Sequence, residues 1–374
     1  MKDAVTIPRC SLSIWKNLYD AAVCFGDIAC WEWMSDSDIF GVQNPESGEI
    51  GYCCVLGQLG EVYGLVVYLG SSGLEQHHKI QSGRIHAGSP DFASSQSCLT
   101  AWFGNRRDLD NTDLKVIKAL GLKFRGSDAW PQFRSMQPGY FPWYLSESEA
   151  KFLILCLEQA RQVAQRFEKN PDCFTPPAKN LYFVRVPAKS KESNLVSASP
   201  SSDMSPGQQS LFPAAGETHG YQWETQWFSP APLVKASVRP FPLDEVRLQR
   251  IKRTSQAYNG TWELDAFFTT QPVVNDNRPF FPYACLCADH DSGFIFSTVV
   301  AEPMTWETEF PKNFLQSVEE HKLLPATLSF RKEELRELFI PLATQLGIKI
   351  EFTRKLPAVD RAKRELLKFM GKQL

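Results

Sequence analysis

One stretch, Pro187 to Gly216, limits what this chain can fold into more than any other. It reads PAKSKESNLVSASPSSDMSPGQQSLFPAAG, dominated by Ser, Pro, Gly, Gln and Ala, with no period of 2 or 3.6. Such a segment cannot bury enough apolar surface to offset its ordering entropy. It reads as a linker, so folded structure is expected on either side of it, in residues 1–186 and 217–374. The length of 374 residues suits two cores. A hydrophobic fraction of 43% excludes wholesale disorder, and 40 basic against 42 acidic residues excludes a polybasic arm or an acidic tail.

The 10 cysteines sit inside apolar segments such as Ala22-Val23-Cys24-Phe25 and Leu155-Cys156-Leu157. That is where reduced, buried thiols are found. Met1 to Arg9 lacks the apolar core of a signal peptide. The runs Gly64–Leu69 and Phe152–Leu157 fall far short of the roughly 20 residues that span a bilayer. The expectation is a soluble, cytoplasmic protein with no membrane association.

Before the linker, residues 12–30 read as helical. The segments Ile39–Gln43, Ile50–Leu56 and Val62–Leu69 read as strands, separated by Asn44-Pro45-Glu46-Ser47-Gly48 and Gly57-Gln58-Leu59-Gly60. Gly73–Gln81 and Asp110–Leu120 read as helices, the second capped by Gly121. Ser146-Glu147-Ser148-Glu149 is a capping box that opens a long helix to Glu168, stopped by Asn170-Pro171. Asn180–Val186 is a further strand. The fold class of this half is α+β with an antiparallel sheet.

After the linker, Trp262–Thr269, Pro282–Ala288 and Gly293–Ala301 read as strands, the last two joined at Asp289-His290-Asp291-Ser292. Lys312–His321, Lys332–Leu346 and Ala358–Met370 read as helices, with strands at Pro325–Phe330 and Ile348–Thr353. The order is β-β-β-α-β-α-β-α, an α/β domain.

That order resembles the ribonuclease H-like fold shared with integrases and transposases, and Trp262-Glu263-Leu264-Asp265 is similar to the Trp-x-x-Asp of an integrase first strand. Trp31-Glu32, Asp38-Ile39-Phe40-Gly41-Val42, the Pro45–Tyr52 turn and Arg278-Pro279-Phe280-Phe281-Pro282 resemble an uncharacterised bacterial family that joins two domains of unknown function, for which no activity is established. The ribonuclease H resemblance implies carboxylates holding two divalent metals on the first strand, at the end of the fourth strand and on the last helix. Asp265 matches the first position. At the second stands Arg331, with Glu333 and Glu334 just beyond it. At the third, Asp360 or Glu365 is available amid Arg361, Lys363 and Arg364. Asp265, Glu333 and Asp360 are thus the candidate catalytic set of a nuclease reading. Arg331 argues against that reading, because a cation there opposes a dication and is placed to pair with Asp265.

Cys285, Cys287 and Asp289 alternate onto one strand face, with His290 next in sequence, but Cys-x-Cys on a strand lacks zinc-loop spacing. Gly70-Ser71-Ser72-Gly73 precedes His77-His78 without the Lys-Ser/Thr of a phosphate loop. No Gly-x-Ser-x-Gly is present. No metal site and no cofactor are expected. For nucleic acid, Arg250, Lys252 and Arg253 form one basic cluster and Arg361 and Arg364 another. From Arg247 onward, however, 18 basic residues face 16 acidic ones, so both clusters suit solvated faces. Aromatic stretches at Trp130–Phe133 and Tyr140–Tyr144 suit a recognition surface or a core. The reading is a two-domain binding or interaction module with a protein partner and without catalysis. A metal-dependent nuclease or nucleic-acid binder is the alternative.

Overall fold

A computed structural model of the protein describes residues 10–86, 92, 95–188, 217–218, 221–233, 238–274 and 278–371. The chain divides at Leu233 into two compact units, the second of which also takes Gln137–Phe141. Both are α+β, each around its own mixed sheet. Of the expected linker, Pro187 and Ala188 end a strand, and residues 189–216 lie outside the described residues.

The first unit holds strands β1 (Phe40–Gln43), β2 (Ile50–Leu56), β3 (Tyr63–Leu69), β4 (Cys98–Gly104), β5 (Trp130–Met136), β6 (Tyr182–Ala188), β7 (Glu217–Thr218) and β8 (Tyr221–Phe228). Their order in the sheet is β5-β4-β3-β2-β1-β6-β8-β7. Helix α1 (Leu12–Gly26), α2 (Gly70–Gln81), α3 (Asn111–Ala119) and α4 (Glu147–Lys169) complete it. The main core lies between one sheet face and the pair α1 and α4, where Trp15, Phe25, Phe133, Leu153 and Leu157 are buried. The opposite face carries a smaller cluster of Tyr52, Cys54, Tyr68 and Cys98 beside Leu74 of α2.

Two expectations are corrected in this unit. The sheet is mixed rather than antiparallel, because β1 and β6 run parallel. Between them the chain makes its return through α4, the kind of long helical crossover that a parallel pair requires. Residues 221–228 belong to this unit and not to the second: β8 pairs antiparallel with β6 along its whole length. Its alternating Trp223 and Trp227 pack against the first core. Elsewhere the capping box is formed as read, with Ser146 and Glu149 exchanging side-chain and backbone hydrogen bonds.

The second unit contains α5 (Glu245–Thr254), β9 (Gln256–Phe268), β10 (Tyr283–Asp289), β11 (Ile295–Ala301), α6 (Trp306–His321), β12 (Leu323–Phe330), α7 (Glu333–Leu346), β13 (Lys349–Phe352) and α8 (Pro357–Gly371). The sheet order is β11-β10-β9-β12-β13. Strands β9, β10 and β11 are antiparallel neighbours, and β12 runs parallel to both β9 and β13. Helix α5 is unanticipated. Asp244 caps it, accepting from Arg247 N at 3.0 Å, and Leu248 and Ile251 bury its inner side. Helix α6 begins earlier than expected and runs through Pro311, because Phe310, Phe314, Leu315 and Val318 make one buried stripe. Gly347 caps α7 with φ of 75°.

The central sheet has two different faces. Trp262, Leu264 and Ala266 of β9 join α5, α6 and α7 in the larger core. Phe267 joins Ala284, Leu286 and Ala288 of β10 under α8 in a smaller one. By alternation, Glu263 and Asp265 share the α8 side with Phe267.

Candidate functional site

The α8 side of β9 places two acids where a strand interior is normally apolar. Glu263 is 0% exposed and Asp265 1%. Buried charges need partners, and each acid receives a different one.

Arg331 stands just beyond the end of β12, the strand beside β9. Its Nε donates to Asp265 Oδ2 at 2.9 Å, and its Nη2 closes on the same oxygen. The same Nη2 lies 2.8 Å from Asp360 Oδ1, in the first turn of α8. One guanidinium therefore bridges acids from the central strand and the last helix. Asp265 Oδ1 remains buried without a hydrogen-bond partner.

Glu263 is held from two sides. His290 Nδ1 lies 2.5 Å from Oε1, and Val359 N donates to Oε2 at 3.0 Å. Val359 is in the first turn of α8, so this carboxylate occupies a helix N-terminus, where free N–H groups favour negative charge. The Glu263 hydrogen bond raises the His290 pKa above its ordinary value, against an opposing effect of burial. Next to it, burial works against the Asp289 charge. Hydrogen bonds from Ser292 Oγ, Ser292 N and Tyr258 OH outweigh burial and hold the Asp289 pKa down.

Of the candidate catalytic set, the structure brings Asp265 and Asp360 together and places Glu333 elsewhere, paired with Arg336 one turn along α7. The acids meet around a cation. Among the described residues no group of three or more His, Cys, Asp or Glu side chains is arranged to hold a metal ion. The residues present therefore do not fit the two-metal arrangement that the ribonuclease H resemblance implied.

Cys285 and Cys287 are buried in the α5–α7 core, on the face of β10 away from Glu263, and burial pushes both thiols up. All ten cysteines are free thiols. The Gly70–Gly73 turn is close packing: a Cβ on Gly73 would stand 2.8 Å from Ser97 O. Trp130–Phe133 is part of β5, and Tyr144 OH donates to Asp110 Oδ2 at 2.6 Å. Sequence reasoning named Glu263 in Trp262-Glu263-Leu264-Asp265 but gave it no role. Its signal was a second acid two positions before Asp265, inside an apolar strand.

The basic residues divide. Arg247 and Arg250 both pair with Glu319 of α6, at 2.7 and 2.9 Å. Lys252 and Arg253 are exposed on α5, and Arg361 and Arg364 are exposed on α8. Those two helices cover opposite faces of the sheet.

Comparison with known proteins gives no activity. No curated protein matches. Among solved structures, the crystal structure of the catalytic core domain of BIV integrase is similar over 30% of this chain and 68% of that chain, with 16% identity and a TM-score of 0.22, too slight a likeness to carry an argument. No helix among the described residues is long and apolar enough to cross a membrane. Residues 15–185 match the family model "Domain of unknown function (DUF7309)" and residues 247–367 match "Domain of unknown function (DUF6930)", so the chain joins two domains of unknown function, one in each half.

Proposed function

We propose that this chain is a non-catalytic binding protein, and that its second unit is a ribonuclease H-like domain in which a guanidinium stands where nucleases of that fold hold metal. The strand order and the helices after β11, β12 and β13 support the fold assignment. The observation that carries the functional reading is Arg331 bridging Asp265 and Asp360. A dication entering there would have to displace a cation already bonded to both acids, and among the described residues no third acid is arranged with them to hold it. Exposed basic residues on opposite sheet faces give no single surface for a nucleic-acid backbone, which favours a protein partner. Ten free cysteines, seven of them buried, suit a reducing, cytoplasmic location.

The test uses the full chain with single- and double-stranded DNA and RNA in Mg²⁺ or Mn²⁺. No cleavage is expected, and calorimetry should detect no Mn²⁺ binding to the wild type. Arg331→Asp, which trades the cation for an acid beside Asp265 and Asp360, should gain a Mn²⁺ site. Metal-dependent cutting by the wild type that stops on Asp265→Asn alone would overturn the reading.

A further inference from the structure

The first unit carries a pair of arginines that the reading of the second unit does not use. Arg166 is on α4 and Arg185 on β6, and each donates from Nη1 to Thr225 Oγ1 of β8, at 3.3 and 2.9 Å. The pairing of β6 with β8 sets Arg185 opposite Thr225. The Arg166 guanidinium lies over the Phe183 ring, 5.3 Å from its centre. Together with Gln162 and Val163, these two arginines and Phe183 line a cavity of about 140 Å³.

Two like charges thus meet at one hydroxyl oxygen. Arg185 is partly buried, and it also donates from Nε to Gln159 Oε1 at 2.9 Å and from Nη2 to Trp223 O at 3.2 Å. All three of its partners are neutral. Burial and the charge of Arg166 both lower the Arg185 pKa, and no carboxylate opposes them. Among the described residues no acid pairs with either arginine and none lines the cavity. Other partly buried arginines of this chain have acids: Arg134 pairs with Asp110 and Asp113, Arg247 with Glu319, and Arg331 with Asp265 and Asp360. A cation withdrawn from water needs an opposite charge, and here the fold supplies none.

The open donors indicate what would answer them. A guanidinium has five N–H groups. Arg166 uses one on Thr225, and its side chain is exposed, so four remain open. The cavity is smaller than the roughly 300–1,000 Å³ of a site for a whole organic ligand, and it suits one compact group entering from solvent. The planar fork of arginine matches the oxygens of a phosphate.

We propose that this cavity binds the phosphate group of a monoester. Such a group carries nearly two negative charges at neutral pH and offers three acceptor oxygens, which answers both arginines at once. A phosphodiester or a carboxylate carries a single charge and answers one.

The probe is methyl phosphate, and the control is dimethyl phosphate, a diester of similar shape with one charge. The Nε–H signals of Arg166 and Arg185 are followed by NMR on the full chain labelled with ¹⁵N-arginine. Ionic strength is held constant and pH is kept well above the second phosphate pKa of about 6. Both signals should move along one saturable curve, with dimethyl phosphate about tenfold weaker. Arg166→Gln should weaken methyl phosphate about tenfold, and Arg166→Lys, which keeps the charge and loses the fork, should fall between. The wild-type titrations decide the matter should either variant fail to fold. N-acetyl-O-phosphoserine methylamide should also saturate the site: a tenfold gain over methyl phosphate assigns the group to a protein chain, and equal affinity assigns it to a small metabolite. No saturable shift of the two arginine signals, equal affinity for monoester and diester, or unchanged methyl phosphate binding in folded Arg166→Gln would overturn the proposal.

Discussion

Replacing Arg331 by Met removes the cation and keeps most of the side-chain volume. Asp265 is left with a side chain 2% exposed and no opposite charge. Breaking a buried pair by removing one partner costs about 3–5 kcal/mol. Two features reduce that figure here. The Arg331 side chain is 26% exposed, so water can replace part of it, and Asp360 at 36% exposure loses only a near-surface pair. The expected loss is therefore about 2–4 kcal/mol. With a urea dependence of about 2 kcal/mol per molar, the midpoint of the second unit should fall by about 1–2 M. The two units need not unfold together, so the assay is urea denaturation of the full chain read by exchange of β9 and α8 amides. Arg331→Met with Asp265→Leu removes both charges and should recover most of the loss, because apolar replacement of a buried pair is often neutral or stabilising. The reasoning is refuted if Arg331→Met stays within about 0.5 kcal/mol of the wild type, or if the double variant is no more stable than Arg331→Met.

Other expectations concern single positions. A Cβ on Gly64 would stand 2.2 Å from the backbone oxygen of Ala101 on the neighbouring strand, so Gly64→Ala should cost the first unit more than about 2 kcal/mol in urea titration. Ser146→Ala removes the cap of α4 and should cost about 1 kcal/mol by the same measurement. His290 has a raised pKa, so its contribution is full below its ordinary value near 6.5 and is lost as pH rises through the folded value. At 47% side-chain exposure the effect is below about 1 kcal/mol, and His290→Asn should abolish the decline in stability of α8 amides between pH 6 and 8. His77 has a lowered pKa, so the first unit should lose stability as pH falls below about 6.5, the opposite slope, and His77→Phe should flatten it.

How much of this was legible in the sequence depends on the range of the interactions involved. The capping box at residues 146–149 and the helix read over residues 332–346 are local patterns, and they stand where the residues indicated. Strands β5 and β8 were missed for a physical reason. Trp130-Pro131-Gln132-Phe133 and Tyr221–Phe228 mix aromatic with polar residues, so neither run is as apolar as β2 or β3. Pairing with β4 and β6 makes them strands. Composition also set the boundary at the linker, whereas the pairing of β8 with β6 set it after Phe228. The parallel pair β1 and β6 joins residues about 140 positions apart, and no local pattern announces that.

The polar cluster under α8 follows the same logic one level higher. Periodicity assigns Glu263 and Asp265 to one face of β9, and nothing in the sequence says that α8 will cover that face. Once it does, both carboxylates lose water and each must be neutralised by what the fold brings near. Arg331 arrives from the end of β12, and His290 from the turn after β10. The N-terminus of α8 supplies the Val359 N–H. An arginine, a histidine and one helix end thus answer two buried acids. Had Arg331 been an acid, three carboxylates would have met at the end of β12, and their mutual repulsion would have favoured a bound dication or a retained proton. With Arg331 present, the same three positions hold α8 to the sheet by themselves.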